Sequence, residues 1–446
     1  MAKTPKSGKA PAPSAKDAAP QNVQAHSGDA TGASGEAAPS AEPHQVTGGE
    51  GVDVSAPSHA EPAPSAQAPE PAAQQQAGGG AQPAQQLAAE ETQISVSRNF
   101  YSWLAQQRCS LAFTSYQTGK LFLVGTMGDG RVSFHQQTYQ RAMGIHAQSD
   151  RLYVGSLFQI WRLENVLQPN ERANEYYDRL YVPRNAQTVG DVDVHEVSVD
   201  RAGRIIFVNT KFSCLATVST KYGFRPIWKP PFISKLAAED RCHLNGLAME
   251  DGVPRYVTAV SRSDVLNGWR ERRHVGGVLI DVQNDRIVTD ELSMPHSPRV
   301  VGNQVYALDS GRGHIIRVDP QTGAKEDIAF CPGFLRGLSI HNGHAIVTVS
   351  LPRDGTFQGL ELSETLRKRD GDPWCGILIV NLSSGDIIEF IQLTGHVKEL
   401  FDVAVIPNSA CPMAIGANSP EIHSMITFDR QFAPLIAPTA PAMAAA

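Results

Sequence analysis

The six cysteines of this 446-residue chain, at positions 109, 214, 242, 331, 375 and 411, never fall at CxxC spacing. Neither a paired-thiol redox centre nor a zinc ribbon is therefore written in the sequence. Long hydrophobic runs are missing as well. No stretch reaches the roughly 18 apolar residues of a membrane helix, so no membrane partner is expected. No apolar run follows the opening MAKTPKSGKAPAPSAK, which leaves no secretory signal to read. Reduced packing thiols and a cytoplasmic location are the resulting expectation. A basic character is absent too: the net charge is −6. With no basic helix and no nucleic-acid motif, nucleic acid is not an expected partner.

Residues 1–92 contain no aromatic residue and hardly any large apolar one. A segment of Ala, Pro, Gln, Ser, Gly and Glu buries too little surface to offset its ordering entropy. This predicts a disordered N-terminal arm, which could tether a protein partner. Residues 431–446, containing APLIAPTAPAMAAA, form a second low-complexity segment. The span 93–430 between them suits one large domain.

That span repeats itself. It reads MGIHAQSDRLYVGS at 143, HEVSVDRAGRIIFVNT at 195, NGLAMEDGVPRYVTAVS at 245 and HSPRVVGNQVYALDS at 296. RGLSIHNGHAIVTVS at 336 and DVAVIPNSACPMAIGAN at 402 continue the series. Each copy has a leading residue, an alternating strand, a turn, and a second strand ending in small polar residues. The leading positions are 52, 50, 51, 40 and 66 residues apart. Short strands repeating every 40–50 residues or so are the signature of a β-propeller. In the 296 frame SPRVVG, QVYALDS, HIIRVDP and KEDIAF make the four strands of one blade. The fold class is thus all-β, a propeller of four-stranded blades. A weaker copy, SLAFTSYQTGKLFLVGT from Ser110, supplies a seventh frame. Dividing about 337 residues by an interval of about 50 favours seven blades, with six the alternative.

In a blade the first strand lies nearest the axis, and the loop from strand two to strand three returns to the face where strand one begins. The insertions 261–277 and 351–376 both occupy that loop. So decoration gathers around one end of the channel, which suggests a covered pocket. Within it, LELSETLRKR (360–369) reads as a short lid helix with acids early and bases late. Trp269 and Phe357 read as pocket walls or lid contacts.

The leading residues Met143, His195, Asn245, His296, Arg336 and Asp402 should converge on the axis at one depth. His195, His296 and Asp402, with Asn245 as a weaker oxygen donor, make a candidate site for a divalent metal. Two imidazoles and a carboxylate suit zinc or iron rather than calcium. Arg336 cannot ligate a metal and would pair with an anionic substrate or a developing oxyanion. Glu196 is either a general base or a blade-packing residue. His243, two before Asn245, lies within reach of the pocket. Arg273 and Arg312 belong to a cationic rim suited to steering an anionic ligand. Hydrogen-bonded channel residues and a solvated surface are the plain alternatives for the histidines and the rim.

HLNGLAMEDGVPRYVTA (243–259) is distantly similar to the frame of the gluconolactonase and regucalcin-like propellers. That resemblance implies a metal-binding role for Asn245, although the other ligands of that family are oxygen donors rather than histidines. A closer resemblance rests on GDVDVHEV (190–197), NTKFSCLA (209–216), WKPPFIS (228–234), EDRCHLNGLA (239–248), PHSPR (295–299) and FLRGLS (334–339). These are similar to a bacterial propeller family of conserved hypothetical proteins, a domain of unknown function. Three functions fit the residues. One is a metal-dependent enzyme, hydrolase or lyase in type, acting on a small or peptide-borne anion. The others are a ligand- or peptide-binding module without turnover and a structural scaffold.

Overall fold

A computed structural model describes residues 91–353, 357 and 359–429, together with the backbone of Gln21–Val23. The rest of the expected arm (1–92) and of the tail (431–446) lies outside the described residues. Among the described residues no helix is long and apolar enough to cross a membrane.

Among the described residues there are six sheets, antiparallel apart from one added strand. Blade 2 is built from Ile145–Gln148, Arg151–Gly155, Gln159–Asn165 and Arg179–Thr188. Blade 3 uses Val194–Val199, Ile205–Asn209, Cys214–Thr217 and Arg225–Trp228, and blade 4 Leu244–Glu250, Val253–Ala259, Gly277–Asp281 and Arg286–Leu292. Blade 5 follows with Pro295–Val301, Gln304–Asp309, His314–Val318 and Lys325–Phe330. Blade 6 has Phe334–His341, His344–Ser350, Gly376–Asn381 and Ile387–Thr394, extended outward by Gln93–Val96 and then Gln21–Val23. The first strands of successive blades pack on one another around a closed ring.

Blade 1 closes that ring and decides the blade number. Its three outer strands, Cys109–Ser115, Lys120–Thr126 and Val132–Thr138, come from the start of the domain. Its inner strand, Val403–Pro407, comes from the end, with Val403 opposite Phe113 and Pro407 opposite Cys109. The frames at Ser110 and at 402 are therefore two parts of one blade, and the propeller has six blades, not the seven favoured by chain length. The second half of the 402 frame leaves the blade altogether. Pro412–Ala414 runs parallel to the outer strand of blade 2, with Pro412 opposite Arg179.

Both faces of each blade are buried, which explains the continuous apolar runs. In IIFVN, Ile206 and Val208 pack toward blade 4 beside Val257 and Ile280, while Ile205 and Phe207 pack toward blade 2 beside Tyr153 and Ile160. Alternation thus sorts side chains between two neighbours instead of between core and water. The six cysteines are buried as free thiols. Burial pushes Cys109, Cys214, Cys242, Cys331 and Cys375 up to about 12, the behaviour of inert packing groups.

Candidate functional site at the channel mouth

The residues that open the inner strands form two stacked layers. Written in register, the strands begin Met143-Gly144, His195-Glu196, Asn245-Gly246, His296-Ser297, Arg336-Gly337 and Phe401-Asp402. The leading residue of blade 1 is therefore Phe401. Asp402, expected in the leading ring, belongs one layer deeper with Glu196. Ring contacts confirm the frame: Phe401 lies 5.2 Å from the His195 ring and 5.3 Å from the Arg336 guanidinium.

The second layer alternates glycine with a polar residue, and each polar residue reaches across to the next blade. Glu196 accepts a hydrogen bond from Leu247 N at 3.0 Å, Ser297 donates to Arg336 O at 2.8 Å, and Asp402 accepts from Ile145 N at 2.9 Å. The receiving blades carry Gly246, Gly337 and Gly144. A Cβ on Gly337 would meet Asp402 Cα at 2.6 Å, and one on Gly144 would meet Glu196 Cα at 2.8 Å. Glycine is thus what lets the blades approach closely enough to latch. Glu196 also pairs with Arg299 at 2.5 Å. Burial raises Glu196 above its ordinary value, with Arg299 opposing. Asp402 is pushed up to about 7 by burial and by the nearby Glu196. Of the two readings of Glu196, these contacts support packing between blades.

The leading ring holds the imidazoles. His195 Nδ1 faces Asp193 O at 3.1 Å, and His296 Nδ1 faces Met294 O at 2.9 Å, both carbonyls two residues upstream. Asp193 and Met294 have left-handed backbones, φ 60° and 46°, which set up this turn. A carbonyl only accepts, so Nδ1 carries the proton and the Nε2 lone pair is left toward the channel. Thr210 Oγ1 and Ser310 Oγ, at the ends of the second strands, complete each Nδ1 environment at 2.8 and 3.0 Å. His195 is pushed down to about 4 by burial, against the pull of Asp193. Burial, then Arg336, His195 and His243, carries His296 well below its ordinary value. Both rings are neutral at pH 7. His243 stacks on Trp269 at 4.2 Å and bonds Asp240 through Nδ1 at 2.9 Å, and Trp269 Nε1 donates to the same carboxylate at 2.8 Å. Asn245 Oδ1 accepts from Thr258 Oγ1 at 2.8 Å. Asn245 Nδ2, His296 Nε2 and Arg336 Nε are buried with no hydrogen-bond partner among the described residues.

The four expected metal ligands are not brought together. Asp402 gives its two oxygens to Ile145 N and Val403 N, and Asn245 turns its oxygen to Thr258. Among the described residues no group of three or more His, Cys, Asp or Glu is arranged to hold a metal ion.

Arg336 stands between the imidazoles and a cavity of about 180 Å³. Its guanidinium lies 5.1 to 5.4 Å from the rings of Phe334, Phe401 and Tyr116, and 3.9 Å from the Glu399 carboxylate. Glu399 is shared: Arg353 binds it at 2.8 Å and the Tyr116 hydroxyl donates to it at 2.6 Å. Arg273 also lines the cavity, as do Leu351, Pro352, Arg353, Phe357 and Leu360 of the 351–376 insertion. The lid helix is Glu361–Lys368, seated by Leu362 and Leu366 against Phe334 and Met294. Neither His243 nor Arg312 lines this cavity. Arg312 instead pairs with Asp309 at 2.7 Å and Glu361 at 3.1 Å, beside a separate groove shared with Arg262, Arg272 and Lys325. Tyr116, Phe401 and Glu399 escaped the sequence reading. FDVAV aligned with RGLSI and NGLAM on its small or acidic second position would have found Phe401.

Residues 98–415 match the model of a domain of unknown function, DUF4915. The chain belongs to that family. The family carries no assigned reaction, so it identifies the domain without naming its chemistry. No curated protein matches the sequence. The likeness of HLNGLAMEDGVPRYVTA to the gluconolactonase-type propellers therefore rests on that frame alone. Among solved structures, a chain from the crystal structure of a nidogen/laminin complex aligns with a TM-score of 0.43 and 11% identity. The alignment covers 67% of this chain and 99% of that one. A likeness this slight carries no functional argument.

Proposed function

We propose that this DUF4915 domain binds a small anionic molecule, or the anionic end of a peptide, in the cavity beneath the lid, with Arg336 as the engaging residue. One observation carries this reading: two guanidiniums, Arg336 and Arg353, share the single carboxylate of Glu399 on the cavity wall. Arg336 is buried among aromatic rings and its Nε has no partner among the described residues. A buried cation so thinly paired is costly, and an incoming anion would offset that cost. Calorimetry with acetate, inorganic phosphate and glutamate tests it. Arg336→Lys keeps the charge and loses the planar fork, so binding should weaken by about 1–3 kcal/mol, the scale of a charged hydrogen bond. Unchanged affinity in Arg336→Lys, or no binding of any of the three anions, would overturn the assignment.

A second reading, metal-dependent hydrolase or lyase chemistry, is favoured by the Nε2 lone pairs of His195 and His296. Nδ1–H held on a backbone carbonyl is the arrangement that orients a metal-ligating imidazole. Zinc or iron bound there would need a third ligand from the substrate anion itself, because Asp402 is engaged elsewhere. Metal analysis of untagged protein, with and without a bound carboxylate, checks it: stoichiometric metal lost in His296→Ala is the expected result.

A further inference from the structure

The cavity under the lid has two kinds of wall, and the division specifies its ligand further. One wall carries the cations Arg273, Arg336 and Arg353, of which the last two already hold one carboxylate between them. The other is apolar: Phe334, Phe357 and Leu360 are 8%, 7% and 9% exposed. These three side chains belong to one cluster with the lid helix. A site for a hydrophilic anion such as phosphate would be ringed by donors. Here half of the enclosure can make no hydrogen bond, and a bare anion would leave that half without a partner. The volume gives a scale as well. About 180 Å³ is close to the roughly 150 Å³ void that accepts a single benzene ring.

Resting on the anion-binding reading above, we propose that the ligand is an amphipathic monocarboxylate with an apolar body no larger than one aromatic ring. The carboxylate lies on the forks of Arg336 and Arg353, and the apolar body sits under Phe357 and Leu360 against Phe334. Phe357 and Leu360, which precede the lid helix and pack in its cluster, make the selection. The acidic first turn and basic last turn of that helix keep Glu361 and Lys368 on the outside, while Leu362 and Leu366 seat it on the cavity cluster.

The test is a chemical series titrated into the full-length protein and followed by ligand-observed NMR, which reads weak dissociation constants. The probes are acetate, propionate, butyrate, isovalerate, benzoate, 2-naphthoate and phenyl phosphate. Affinity should rise about fourfold for each methylene added up to benzoate, the gain of burying one such group. It should then fall at least tenfold for 2-naphthoate. Phe357→Ala should lower benzoate affinity at least tenfold and acetate affinity less than twofold. Arg336→Lys should lower every acid by one common factor and keep the slope of the series. Equal affinity from acetate to benzoate would overturn the amphipathic assignment and leave the anion-binding reading standing. Tighter binding of phenyl phosphate than of benzoate would overturn the carboxylate class alone. Failure of every probe to bind would overturn both readings.

Discussion

Burial acts in opposite directions on the two kinds of titratable residue in the channel. His195 and His296 are held neutral well below their ordinary values, while Asp402 is raised to about 7 and Glu196 is raised beside it. For the histidines the unfolded chain takes up protons below about pH 6.5 and the folded one does not, so their contribution to stability is lost as pH falls. For the carboxyls the folded chain keeps protons that the unfolded one has released above about pH 4, so stability is lost as pH rises toward 7. Between pH 5 and 7 the two slopes oppose each other. Asp402→Asn removes one of the two opposing carboxyls, so the stability of the variant should climb more steeply with pH over that window than the parent's. Urea midpoints at pH 5, 6 and 7 measure it, and parallel slopes would show that Asp402 is ionised in the folded domain.

Neighbouring blades are tied near their axis by side chains as well as by packing. Thr348 Oγ1 accepts from Gly337 N at 2.7 Å in its own blade and donates to Phe401 O at 3.1 Å in the next. Thr114 donates to Met143 O at 2.5 Å and Thr210 to Leu244 O at 2.6 Å in the same way. Thr348→Val keeps the shape and orphans an amide and a carbonyl, so the domain should lose about 1–3 kcal/mol in a denaturant titration. Gly337→Ala should cost a similar amount, roughly 1–3 kcal/mol, because the added methyl lands on the backbone of Asp402. These small residues were visible in the sequence as the polar endings of the second strands, and so were the propeller and its decorated face. Three things were not legible. The 351–376 insertion of blade 6 stretches one interval to 66 residues, and closure of blade 1 from both chain ends leaves the 402 frame without its own second strand, which is why seven blades looked reasonable. The alternation of Gly144, Gly246 and Gly337 with Glu196, Ser297 and Asp402 becomes readable only once Phe401 is placed in register. The aromatic enclosure of Arg336 joins Tyr116, Phe334 and Phe401 from positions far apart in the chain, and no local pattern announces such a meeting.

The propeller is a ring whose seam lies in blade 1. A chain ending at Leu400 would lack Val403–Pro407, leaving the edge of Cys109–Ser115 and the flank of blade 2 uncovered. Such a truncation should abolish the cooperative melting transition instead of shifting it by a few degrees. Calorimetry checks this, and a sharp transition near the parent temperature would show that the seam is dispensable. The same seam has a consequence in time. Cys109–Ser115 leaves the ribosome early, and its inner partner follows only after about 290 more residues have been made. At about 5–20 residues per second that is a delay of roughly 15–60 seconds. For that period each nascent chain carries a strand whose inner edge is unpaired, a template on which the closing strand of another chain could dock first. Crowded synthesis of this protein should therefore produce exchanged dimers before it produces misfolded monomers.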